Sequence, residues 1–206
     1  MEGQEKKNLV LSIIGAIITL LAIFGISYAV FTFTQPGTNT NYISTGTISM
    51  QYLESDTNII SITDATPITD SVGKNQSQFF DFKLLSNIKG NANISYEIRA
   101  KKLDVSPKKA IDPSKVKLYL EKEVGGRYIE VLGPKAFELN PNTVIQNTDV
   151  DTDTMLLYTG SVINSLDSKE QIDKFRLRMW VKDGVEPFTE PESFKIKVNV
   201  YASVNK

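Results

Sequence analysis

From Leu9 to Phe33 the chain is apolar, with Ser12, Thr19, Ser27 and Thr32 its only polar side chains, and no charge appears between Lys7 and Glu54. At 1.5 Å rise per residue, a helix of about 25 residues reaches roughly 37 Å, more than the roughly 30 Å of bilayer hydrocarbon. A soluble core helix of that length carries a polar stripe, and this run has none. The pattern predicts one N-terminal transmembrane or signal helix over 9–33.

A polar, uncharged stretch follows, Thr34-Gln35-Pro36-Gly37-Thr38-Asn39-Thr40-Asn41, and reads as a linker over 34–42. From Ile43 the dominant period is two, the mark of strands with one buried face. The alternating sets are Ile48, Met50, Tyr52; Phe80, Phe82, Leu84; Ala92, Ile94, Tyr96, Ile98; and Val116, Leu118, Leu120. They continue with Phe175, Leu177, Met179, Val181 and with Phe194, Ile196, Val198, Val200, Ala202, Val204, where Lys195 and Lys197 face outward. With shorter segments at Ile59 to Thr63, Tyr128 to Leu132 and Met155 to Tyr158, about eight or nine strands are predicted.

Gly125-Gly126 between two strand patterns predicts a tight hairpin that needs positive φ, and Gly90-Asn91 separates another pair. The best helical stretch is Ser165 to Asp173, about two turns. The predicted class is all-β: a single jelly-roll or immunoglobulin-like antiparallel sandwich over 43–206.

Charge orients the chain. Lys6 and Lys7 precede the apolar run, and no Lys or Arg follows it until Lys74, which puts residues 1–8 in the cytoplasm and the C-terminal domain outside. Ser27-Tyr28-Ala29 supplies a small-x-small signal-peptidase pattern, with Ser27 and Ala29 as its recognition positions. The apolar run before Ala29 is longer than a usual signal core. Two fates stay open: cleavage after Ala29 and release to the cell surface or matrix, or an uncleaved plasma-membrane anchor with an extracellular C-terminal domain.

Composition narrows the chemistry. There is no cysteine and no histidine, which removes thiolate and imidazole zinc sites and every Cys or His-dependent nucleophile. No disulfide can staple the exported domain, so an apolar core has to hold it. The net charge of −1 offers no basic stripe for nucleic acid, and no cofactor is expected. Asp149, Asp151 and Asp153 have the spacing that starts a calcium loop, but Thr154 and Gly160 stand where an EF-hand needs Gly and Glu, so a solvated acidic loop is the competing reading. Trp180 alternates away from the Leu177 side together with Arg176 and Arg178, the composition of a binding face if exposed. The competing reading covers that face with loops or a small helix.

Ser27-Tyr28-Ala29-Val30-Phe31 is followed by Ile43-Ser44-Thr45-Gly46-Thr47-Ile48, a strand, the turn Asp64-Ala65-Thr66-Pro67-Ile68-Thr69-Asp70, and Phe79-Phe80-Asp81-Phe82. This order, over roughly residues 20–98, resembles the TasA/camelysin family of exported surface and biofilm-matrix proteins of Gram-positive bacteria. The glycine of the family's Pro-Gly-Asp turn is missing here, and the apolar run exceeds a minimal signal. Camelysin-type members are described as metalloproteases; without histidine that activity is not carried over. The resemblance implies a jelly-roll subunit whose freed N-terminal segment pairs with the next subunit.

The residues have a physical counterpart to that implication. Val30 to Thr47 is uncharged and rich in Thr, Asn, Tyr and Ile, suited to add as a strand to a sheet edge, with Val30, Phe31, Phe33, Tyr42 and Ile43 as its apolar contacts. The expected function is therefore a non-enzymatic, self-associating surface or fibre protein. The alternative is a membrane-tethered ligand-binding or adhesion module, with a hydrolase third.

Overall fold

A computed structural model describes residues 33–36, 41–44, 48–54, 59–63, 65–145, 150–164 and 168–205. Most of the apolar segment, the cleavage candidates Ser27 and Ala29, and Val30, Phe31 and Asp149 lie outside the described residues. Among the described residues no helix is long and apolar enough to cross a membrane.

The period-two pattern produces twelve strands among the described residues: β1 (Phe33–Pro36), β2 (Asn41–Ser44), β3 (Ile48–Glu54), β4 (Ile59–Thr63), β5 (Phe80–Lys89) and β6 (Ala92–Leu103), then β7 (Lys109–Ala110), β8 (Val116–Val124), β9 (Arg127–Ala136), β10 (Thr154–Asn164), β11 (Ser168–Val181) and β12 (Glu192–Asn205). One short helix, α1 (Asp70–Asn75), lies between β4 and β5. The strands form two sheets. The first runs β1-β12-β6-β10, with β4 and β7 also on β12; the second runs β2-β3-β5-β11-β8-β9. Pairing is antiparallel apart from the two-residue β7 and the single Ile68–Lys182 bridge.

The faces that alternate inward meet as one core. Phe82, Leu84, Ile94, Tyr96, Ile98, Val116, Leu118 and Leu120 are buried, as are Phe175, Leu177, Val181, Phe194, Ile196 and Val198. Each large apolar side chain taken from water stabilises the fold by about 1.5–3 kcal/mol. Phe82 stacks on Phe175 across the β5–β11 pair, with ring centroids 5.2 Å apart. The β8–β9 hairpin turns at Gly125 and Gly126, both with φ near the left-handed region (59° and 80°), as the glycine pair predicts.

Two readings of the sequence are corrected. Ser165 to Asp173 is not helical where it is described, because β11 begins at Ser168 and Ser168 to Asp173 is laddered on β5, from Ser168↔Lys89 to Asp173↔Leu84. Propensity in this polar stretch yields to the neighbouring strand β5, which supplies its backbone partners. At the other end, Phe33 starts a strand rather than closing an apolar helix, and within the predicted linker 34–42 the described residues 34–36 and 41–42 belong to strands.

Candidate functional site

The outward positions of β11 do gather Arg176, Arg178 and Trp180, but Arg178 and Trp180 are buried. Trp180 is only 2% exposed. It lies under α1, at Gly73, where a Cβ would come within 2.3 Å of the indole ring carbons, so glycine alone fits without movement. The lid is positioned from several directions. Thr69 caps α1 by accepting from the Val72 N–H at 3.4 Å, and Lys117 Nζ holds Asp70 at 2.7 Å. Ile68 N–H donates to Val181 O at 3.0 Å, and the Gln76 side-chain amide donates to Met179 O at 3.2 Å. The exposed-tryptophan reading is thus replaced by the covered one. Trp180 Nε1 has no acceptor among the described residues.

Beside the lid the two arginines form a cation–aromatic stack. The Arg176 guanidinium sits 3.9 Å from the Phe79 ring centroid and 4.0 Å from that of Tyr128, and its Nε donates to Asp81 at 3.2 Å. Arg178 donates to Glu121 and, through Nε, to Gln76 O at 3.0 Å. Phe79 and Tyr128, which the sequence does not single out, sandwich the one residue of the trio that keeps appreciable exposure; the pairing of Arg176 with Asp81 brings Phe79 alongside.

Tyr119 packs 6.3 Å from Trp180, and its phenol is pushed up to about 12, first by burial and then by the Glu121 and Glu130 carboxylates. The folded state favours the neutral phenol, so its contribution is full below the ordinary value of 10.0 and falls as pH rises towards about 12. Urea midpoints measured across that interval should decline; a flat profile would contradict this placement of Tyr119.

A cleft of about 570 Å³ opens between β4 and the C-terminal end of β11, lined among others by Ile60, Ile62, Gln76, Phe79, Met179 and Trp180. Its size falls in the range of small-molecule sites. At the N-terminal edge, β1 pairs with β12 in the register Phe33↔Ala202 to Pro36↔Asn199, while β2, with Tyr42 and Ile43, pairs with β3. The segment therefore edges the first sheet and then the second.

In the acidic loop, Lys101 Nζ lies 2.9 Å from Asp151 and 3.4 Å from Asp153, so an ammonium group supplies the positive charge beside both carboxylates. Those contacts hold Lys101 above its usual range. Among the described residues no cluster of three or more acidic side chains is placed to hold a metal. Next to this loop is a feature the sequence does not reveal, a fully buried Glu97–Arg99 ion pair at 2.7 Å. Arg99 also donates to Asn140 O, Asn142 O and Thr154 Oγ1, and Glu97 Oε1 accepts from Val144 N–H and Thr143 Oγ1. Together they clamp the segment 140–145 across the outer face of the first sheet.

No protein-family model matches the chain, and no curated protein does. Among solved structures, the chain is similar to the VP2 subviral particle of infectious bursal disease virus, with 12% identity, a TM-score of 0.34 and coverage of 76% of this chain and 32% of that one. A structure of the Gt strain of that virus matches at 8% identity and TM-score 0.31, over 85% and 33% of the two chains. TmCBM61 in complex with β-1,4-galactotriose matches at 9% identity and TM-score 0.19, over 76% and 83%. The chain spans about a third of the length of the viral structures, and likeness at this level establishes neither family nor ligand.

Proposed function

We propose that this chain is a non-enzymatic, exported surface protein, a matrix or fibre subunit that assembles by exchanging its N-terminal strand between copies. The observation that carries the reading is the seating of Phe33–Pro36 on β12 at a sheet edge. Of the residues expected to act as an assembly strand, Phe33 is in strand conformation on β12, in a ladder of four residues, and Tyr42 and Ile43 are in strand conformation on β3. Exchange for the same strand of another copy costs little, because each pairing lost within the chain is regained between chains. Head-to-tail exchange of this kind does not close and builds filaments.

The strand orders β4-β12-β6-β10 and β5-β11-β8-β9 support a jelly-roll reading of the sandwich, with β1 to β3 added before it. Membrane delivery by the N-terminal apolar segment and an extracellular location remain part of the proposal.

Purified residues 30–206 are expected to form concentration-dependent fibres by light scattering and electron microscopy, and removal of 30–47 should abolish them while leaving the β signature in circular dichroism. A chain that stays monomeric at every concentration would sink the reading. The cleft beside Phe79 supports the second reading, an uncleaved, tethered binding module. The native N-terminus separates the two: a start at Val30 accompanies release and assembly, and a start at Met1 or Glu2 accompanies tethering.

A further inference from the structure

Two inward positions that alternation reserves for apolar side chains carry charge instead. On β11, Asp173 precedes the inward set Phe175, Leu177, Met179; on β8, Lys122 extends Val116, Leu118, Leu120 and stands opposite Phe175. Their side chains are 17% (Lys122) and 8% (Asp173) exposed, and Lys122 Nζ lies 3.0 Å from Asp173 Oδ1. Aromatic rings flank the amine, Tyr158 at 5.5 Å and Phe175 at 5.6 Å from centroid to Nζ.

The carboxyl group is engaged from the facing sheet as well. Tyr96 OH, on β6, donates to Asp173 Oδ2 at 2.7 Å, and Gln171 Nε2 lies 3.0 and 3.1 Å from the two carboxyl oxygens. Gly160 on β10 keeps room for the phenol, since a Cβ there would lie 2.4 Å from Tyr96 Cζ and 2.5 Å from its hydroxyl. Burial, and then the neighbouring Asp173, push Tyr96 well above the usual tyrosine range, so it remains a proton donor.

We propose that Lys122 and Asp173 become joined by an amide bond between Nζ and Cγ, a cross-link that the folded chain forms on itself. The step begins with one proton passing from the Lys122 ammonium to Asp173 Oδ1 across the 3.0 Å contact, which leaves a neutral amine beside a neutral carboxyl group. The neutral amine then attacks Cγ. Charge develops on Oδ2, where the Tyr96 hydroxyl and the Gln171 amide stabilise it. Oδ1, already carrying the transferred proton, takes a second from the attacking nitrogen and leaves as water as the carbonyl reforms. One N–C bond forms, one C–O bond breaks and water is the only by-product, so no oxidant, cofactor or second substrate is required. Holding amine and carboxyl in contact supplies the proximity that makes amide formation accessible.

The bond would tie β8 to β11, neighbours in the second sheet, and close the intervening chain 123–172 into a loop. In a chain without cysteine it gives a covalent staple indifferent to redox conditions. The proposal stands independently of whether the chain polymerises.

Tryptic digestion of the full chain and mass spectrometry under denaturing conditions test it. The expected product is a branched peptide joining Lys122 to Asp173, lighter than its linear parts by one water, about 18 Da. Linear peptides alone from the wild-type chain would overturn the proposal. Lys122→Arg, which keeps the charge beside Asp173 but removes the nucleophilic amine, should yield only linear peptides while retaining the wild-type circular dichroism; a branched peptide at these positions in this variant would refute the assignment. Tyr96→Phe should slow cross-linking about 100-fold if its hydroxyl stabilises the developing charge, and an unchanged rate would overturn that role.

Discussion

Replacing Arg99 by methionine is expected to destabilise the sandwich by about 3–5 kcal/mol, because it leaves the Glu97 carboxylate buried without its counter-charge. Both side chains are fully buried. Their Coulomb attraction is set against the desolvation of two ions, so the pair by itself is weak evidence of stability. The hydrogen bonds to Asn140 O, Asn142 O, Thr143 Oγ1 and Val144 N–H tip the balance, since they satisfy a carboxylate and a guanidinium group that are fully buried. The double variant Glu97→Leu/Arg99→Met should therefore cost less than the two single changes added together, yet not recover the wild-type value. Urea unfolding of the four proteins measures both quantities. With a total stability of about 5–15 kcal/mol for a domain of this kind, the single change takes a large fraction of it. An Arg99→Met midpoint within experimental error of wild type would show that the 140–145 segment is not held by this clamp.

The same pair marks the limit of what alternation reveals. Glu97 and Arg99 interleave with Tyr96, Ile98 and Ala100, and a period-two reading assigns them to solvent. That reading gives the right face and the wrong environment, because the segment covering them comes from more than forty residues further along the chain. Where partners are near neighbours in a ladder, as for Phe82 with Phe175 or Leu118 with Met179, inward sets read from the sequence match the buried core. The reverse failure occurs at Ser165 to Asp173. Strand periodicity is invisible there because the inward position Asp173 is polar, made tolerable by Tyr96 and Lys122 from elements distant in sequence. Phe33 was obscured differently: an uninterrupted apolar run gives no mark for where a helix pattern ends and β1 begins. The order of cation and aromatic side chains around Arg176 depends equally on Phe79 and Tyr128 arriving from separate strands' flanks, which no spacing along one segment reports.

Trp180→Ala should cost about 3–5 kcal/mol, as large-to-small changes in a core do, rather than leave stability intact as truncation of an exposed contact would. Gly73 is where the helix meets the ring. With 2.3 Å between its virtual Cβ and the indole carbons, α1 and β11 are in contact at a point where neither backbone nor ring has slack. Gly73→Ala alone should destabilise by about 1–3 kcal/mol through overpacking, despite alanine's better helix propensity. In the Trp180→Ala background that penalty should vanish, because the ring that meets the new methyl is gone and the helix gains from the alanine. The two changes are thus expected to be non-additive, with a coupling of about the size of the Gly73→Ala penalty. Urea or thermal unfolding of the single and double variants reads this directly. Simple additivity would mean that α1 stands off from β11 in solution, and Trp180 would then return to consideration as a contact residue beside Arg176.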